Sequence, residues 1–219
     1  RVLFRSEGFD LDENVCFLKV ENPKYGTLDC DRSKWEVVFC NSDEKNAVSE
    51  PNGDKGGVGC LFDDDINSYW HVNWSGGTNN DDQFPQLFQG GREMPITIVV
   101  DMKESLIVHS IGWTQRQNSD YQDTKKVEYY VSDDEQFKLG GKEDYSPVAL
   151  NNWTFVMERS YQKGYNATQW QTQSEEVLQK KVKGHLLKVK IVEGYRDRLA
   201  SGAELYVKQL LAIDGEPIK

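Results

Sequence analysis

Short runs rich in Val, Ile, Tyr, Trp and Phe recur along this chain, at residues 35–40, 96–101, 108–116, 126–132, 153–158, 185–192 and 205–213. Each has strand length, and Gly, Asn, Asp or Ser at its ends marks a turn. Helical periodicity is confined to residues 174–182, and Gly184 is expected to end the helix or turn the chain. Short strands joined by polar loops bury one face each and need a second layer opposite. The pattern therefore predicts an all-β fold, an antiparallel sandwich or barrel. The 219 residues suffice for one large domain, or one domain with a short addition. Residues 1–34 fit the pattern less well. Residues 14–20 have strand character and 22–26 turn character. The segment reads as an N-terminal extension or the tail of a preceding domain, free to pair with the sandwich edge. The domain proper is expected over residues 35–219.

The formal net charge is −10. A chain so acidic is a poor match for nucleic acid, which needs clustered Lys and Arg, and for direct binding to an anionic membrane surface. It suits neutral ligands or capture of a cation. Apolar residues are 37% of the chain, yet it holds 6 Trp, 10 Tyr and 9 Phe, enough rings for both a core and a binding face. No apolar stretch approaches the length of a membrane helix. The chain opens on Arg1 with no visible signal peptide, so it is expected to be a processed form or a cut piece of a longer chain with other domains. Cys16, Cys30, Cys40 and Cys60 form no CxxC pair, which argues against zinc. Buried free thiols, or at most one bridge, are expected.

The densest chemistry is LFDDDINSYWHVNW, residues 61–74. Adjacent carboxylates repel unless solvated or neutralised. A hard cation such as calcium, which takes carboxylate, hydroxyl and carbonyl oxygens together, would neutralise them. An EF-hand is excluded, because its required Gly and Glu positions hold Ser68 and Trp74. A solvated acidic turn capping a short helix explains the same charges. No Gly-x-Ser-x-Gly elbow and no Gly-rich phosphate loop is present, and the best-placed acids lie in this one loop. The chain reads as non-catalytic.

The loop runs into Tyr69, Trp70 and His71, then ITIVVDMK at 96–103, IGWTQRQN at 111–118, VEYYVSD at 127–133 and SGAELYV at 201–207. In this order the motifs resemble the discoidin, or coagulation-factor type C, domain over roughly residues 35–214. The sugar-binding branch of that group is carbohydrate-binding module family 32, and the N-terminal domain of galactose oxidase is similar over the same segments. The resemblance implies an antiparallel jelly-roll β-sandwich of the galactose-binding type. It also implies a structural calcium at the rim. The Asp63, Asp65 and Ser68 side chains, the Cys60 and Ala203 carbonyls and the Glu204 carboxylate would hold the ion. Relatives often have Gly where this chain has Asp64. For the ligand loops it implies His71, Trp74, Arg116 and Asn118, with Asp54 or Asn52 on the preceding loop. Pyranose C–H faces stack on rings, and sugar hydroxyls meet the rigid donors of Arg and the amide of Asn.

Each assignment has a structural counterpart. Trp70, Trp113 and Tyr129–Tyr130 suit the sandwich faces. His71 suits a buried structural role, and Trp74 suits a cover for the sandwich end. Arg116 suits an ion pair with Asp120 or Asp123. Tyr161, Tyr165 and Trp170 suit either a second rim patch or packing of the extension. The expected function is a non-catalytic carbohydrate-binding, lectin-like module. The insertions resemble C-terminal modules of bacterial surface lipoproteins in glycan uptake, which implies an extracellular or cell-surface site, periplasmic or on an outer-membrane lipoprotein. A protein-binding adhesion or spacer domain is the alternative.

Overall fold

The computed structural model describes residues 24–44, 55–73, 94–134, 152–164 and 167–218. Its strands are β1 (Tyr25–Asp29), β2 (Glu36–Cys40), β3 (Lys55–Gly56), β4 (Tyr69–His71), β5 (Ile96–Thr114), β6 (Thr124–Ser132), β7 (Thr154–Ser160), β8 (Gln169–Thr172), β9 (Lys183–Gly194), β10 (Ser201–Gly202), β11 (Glu204–Ile213) and β12 (Glu216–Pro217). Among the described residues one α-helix, α1 (Glu175–Lys180), joins β8 to β9.

The runs at 96–101 and 108–116 belong to one strand, β5. Its first half pairs with β2 and β9, and its second half pairs with β11 and β8. Lys103 takes φ 65° between the halves, its N–H held by Asp101 Oδ1 at 2.8 Å. The register against β9 shifts between Asp101 and Leu106. A bulge of this kind re-aims a strand, so β5 is shared by the two pairing groups of the sandwich. The order is β1-β11-β5-β9-β6-β7, with β2 and β8 also on β5 and β12 on β11. A short sheet, β10-β4-β3, lies beside it.

Side chains alternate along each strand, and the inward sets of β5, β6, β9 and β11 meet in one core. Ile98, Val100, Ile111, Trp113, Val127, Tyr129, Leu187, Val189 and Leu205 are all fully buried there, with Trp70 from β4. The rings keep their polar atoms bonded. Trp70 Nε1 donates to Ser42 O at 2.9 Å, Trp113 Nε1 donates to Gln115 Oε1 at 3.1 Å, and the Tyr129 and Tyr161 hydroxyls lie 2.7 Å apart.

The segment ahead of residue 35 pairs with the sheet, as one of its readings allowed, through β1 on β11. The helix ends at Lys181, which takes the left-handed conformation at φ 50°. Gly184 is not the helix stop, because it lies within β9. Cys30 is a free thiol and Cys40 and Cys60 are buried, whereas Cys16 lies outside the described residues.

Candidate functional site

A 3₁₀ turn over Val58–Leu61 delivers the acidic loop to the rim. Asp64 takes φ 63°, a left-handed position that Gly fills most easily and Asp tolerates. Asp63 Oδ1 accepts from the Asp65 N–H at 2.9 Å, and its Oδ2 accepts from Ser68 Oγ at 2.7 Å. Ser68 Oγ also lies 3.5 Å from the Cys60 carbonyl. Asp65 Oδ1 accepts from the N–H and the side-chain amide of Asn67, which closes the turn.

Glu204 opens β11 and is fully buried. Its Oε2 accepts from Arg32 at 2.5 Å, while its Oε1 has no hydrogen-bond partner. Burial pushes its carboxyl up to about 7. Arg32 pulls it down, and the neighbouring Asp63 carboxylate adds to the rise. A buried orphan carboxylate oxygen beside a second carboxylate, with a hydroxyl and a carbonyl close by, suits a hard cation. Of the implied ligands, Cys60, Asp63, Ser68 and Glu204 come together. Asp65 is engaged in its turn, and Ala203 is held by its N–H on Thr114 O at 2.8 Å. Among the described residues no group of three or more His, Cys, Asp or Glu side chains that could hold a metal is found.

Sequence reasoning missed Arg32. It sits in a 3₁₀ turn (Arg32–Lys34) between β1 and β2, within the segment set aside as an extension. Its Nη1 donates to Leu61 O at 3.1 Å and Leu205 O at 2.8 Å as well as to Glu204, and its Nη2 donates to Asp64. The guanidinium also lies 4.1 Å over the Tyr206 ring. A lone Arg in a polar turn carries no signal of such partners, because all of them are distant in sequence.

The implied sugar residues meet at β4 and the end of β5. Arg116 stacks 3.7 Å over Tyr69, donates from Nη2 to the Tyr69 hydroxyl at 2.8 Å, and donates from Nε to Asn118 Oδ1. It is half-buried and Asn118 is exposed. The expected pairing of Arg116 with Asp120 or Asp123 gives way to other contacts. Asp120 pairs with Lys163 at 3.3 Å, and Asp123 accepts from the Gly164 N–H at 2.5 Å. His71 is fully buried, with Nδ1 2.9 Å from Val72 O and its ring stacked on Tyr69 at 5.8 Å. It lies behind the surface that Arg116 and Asn118 present. Trp74, Asp54, Asn52 and the 76–82 stretch lie outside the described residues.

These layers and motifs define a discoidin-like β-sandwich. No family model and no curated protein matches the sequence. Solved structures do match the fold. The C-terminal domain of a chitobiase from Bacteroides fragilis aligns at TM-score 0.60 with 17% identity, covering 84% of this chain and 99% of that one. The family 32 carbohydrate-binding module of NanJ from Clostridium perfringens, in complex with galactose, aligns at 0.54 with 18% identity over 83% and 98%. An F5/8 type C domain from Bacteroides fragilis aligns at 0.54 with 13% identity over 84% and 97%. The fold is that of the discoidin and family 32 modules.

Proposed function

We propose that this chain is a non-catalytic carbohydrate-binding module that takes a neutral glycan at the Tyr69–Arg116–Asn118 end. The observation that carries this reading is the guanidinium of Arg116, clamped between the Tyr69 ring and Asn118 at the end of β5. Two of its N–H groups are spent on those contacts. The others remain as fixed donors for sugar hydroxyls, a geometry that a flexible Lys would not hold. Trp74 follows the same β4 strand in sequence and would supply the stacking ring. The fold neighbour that binds galactose supports the ligand class.

Calcium would be held by Cys60 O, Asp63, Ser68 and Glu204, with Asp65 and Ala203 completing the set. It would neutralise facing carboxylates and tie the acidic loop to β11. The module would serve at the cell surface or outside it, as one domain of a longer glycan-utilisation protein.

A glycan array with and without chelator tests the ligand. Wild type should bind galactose-type glycans, and Arg116→Ala should weaken binding by about tenfold or more. If no glycan binds, or the variant binds as wild type does, the reading fails and the adhesion or spacer alternative takes its place.

A further inference from the structure

We propose that the outer face of the β8–β5–β11 sheet is a second carbohydrate-binding surface, built on Trp170. Trp170, Gly112 and Tyr206 form one cross-strand row, because Gly112 pairs with both of the others. Cross-strand partners share a face. The flanking residues Ile111, Trp113, Leu205 and Val207 point the other way and are buried in the core. The row therefore lies on the outside of the sandwich; it shares β5 with the Tyr69–Arg116 end but is built from other residues.

The platform depends on the glycine. A Cβ at position 112 would come within 3.0 Å of the Trp170 indole and 2.7 Å of Thr168 Cγ2. Gly112 thus lets the indole lie against the strand and lean towards Tyr206, whose ring centroid is 6.0 Å away. Trp170 stays 39% exposed, a large share for the largest side chain. A cavity of about 370 Å³ opens beside it, lined by Asp29, Asp31, Arg32, Asp64, Trp170 and Tyr206 among others. That volume lies within the usual range of ligand pockets, about 300–1,000 Å³.

The chemistry of the lining selects the ligand. Asp31 Oδ1 is engaged by Ser33, Asp64 Oδ1 by Arg32, and Asp29 Oδ1 lies 3.6 Å from Lys208. The second oxygen of each carboxylate remains an acceptor for hydroxyls. Lys208 and Arg32 offset part of the three negative charges, Arg32 being shared with Glu204, and Lys208 Nζ lies 4.7 Å from the Trp170 ring. A cationic ligand stacking on the indole would meet Lys208, and an anionic one meets the acids. A neutral hydroxylated ring, with a C–H face for the indole and hydroxyls for the acids, is the occupant that satisfies both. This surface is separate from the loop-end site and does not depend on it.

The test is affinity electrophoresis of the folded chain through gels containing arabinogalactan, galactomannan or xyloglucan. Fluorine NMR of the fluorotryptophan-labelled chain runs alongside. At least one polymer should retard wild type and shift the Trp170 resonance, and the shift should persist in Arg116→Ala. Trp170→Ala should weaken retention by about tenfold, with its circular dichroism unchanged, while Trp170→Phe keeps most of it. Retention lost in Trp170→Ala but kept in Arg116→Ala would sink the loop-end reading and leave this one standing. No retention of wild type, an unmoved Trp170 resonance, or a Trp170→Ala chain retarded like wild type overturns the proposal.

Discussion

The Arg32 side chain is 4% exposed and meets Leu61 O, Leu205 O and the Glu204 carboxylate through one nitrogen. Removing one member of a buried ion pair leaves the other charge uncompensated, at a cost of about 3–5 kcal/mol. Arg32→Met should therefore destabilise strongly in denaturant unfolding. Arg32→Lys should recover part of the loss, because one ammonium cannot span the acceptors a fork reaches. An unfolding midpoint unchanged in Arg32→Met would show that the network contributes nothing. Lys188 is a second buried cation among the described residues, 1% exposed, with Nζ 4.1 Å from the Tyr130 ring and 4.6 Å from Trp153. Burial pushes its ammonium down to about 8, Lys190 adds to the fall, and Glu128 opposes it. Below about pH 8 the folded chain holds a charge it would rather release, so Lys188 costs stability there. The unfolded Lys stays protonated until about pH 10.4, so stability from this residue rises with pH between those values. Lys188→Met should be more stable than wild type at pH 7, by up to about 3 kcal/mol before the ring contacts are counted. That advantage should shrink on raising the pH through the window. A difference independent of pH would rule out the titration.

At the scale of elements, two glycines hold strands at close approach. A Cβ on Gly202 in β10 would stand 2.2 Å from Trp113 Cζ2, and one on Gly184 in β9 would stand 2.7 Å from the Ser132 N–H nitrogen. Trp113 is fully buried and cannot move aside. Gly202→Ala should cost about 1–3 kcal/mol by overpacking, measurable as a lowered midpoint with unchanged slope. Wild-type stability in that variant would mean that β10 does not press on the core. The SGAELYV motif is thus legible twice over. Its glycine meets Trp113, and its glutamate begins β11 facing Asp63. β1 and β8 were illegible by contrast. Tyr25–Asp29 and Gln169–Thr172 are short and largely exposed, so neither carries the apolar alternation that marks a strand. They are strands because β11 and β5 offer them unpaired edges.

Across the whole molecule, the rim joins parts of the chain that are far apart in sequence: residue 32, the loop at 60–68 and the start of β11. A clip across so long a loop restricts the unfolded chain most. Chelation, or Asp63→Ala, should lower the melting temperature by several degrees. An unchanged melting curve, with no bound metal by elemental analysis, would dismiss calcium. Alternating runs, turn residues and the order of the motifs sufficed for an all-β sandwich, its core rings and the acidic rim, because those signals are local or reside in the spacing of conspicuous residue types. Three features needed the folded chain: the single bent β5 that serves both pairing groups, the burial of His71 where β4 pairs with β10, and the convergence of Arg32, Asp63 and Glu204. Each depends on contacts between residues tens of positions apart, and a long-range contact leaves no mark on either neighbourhood alone.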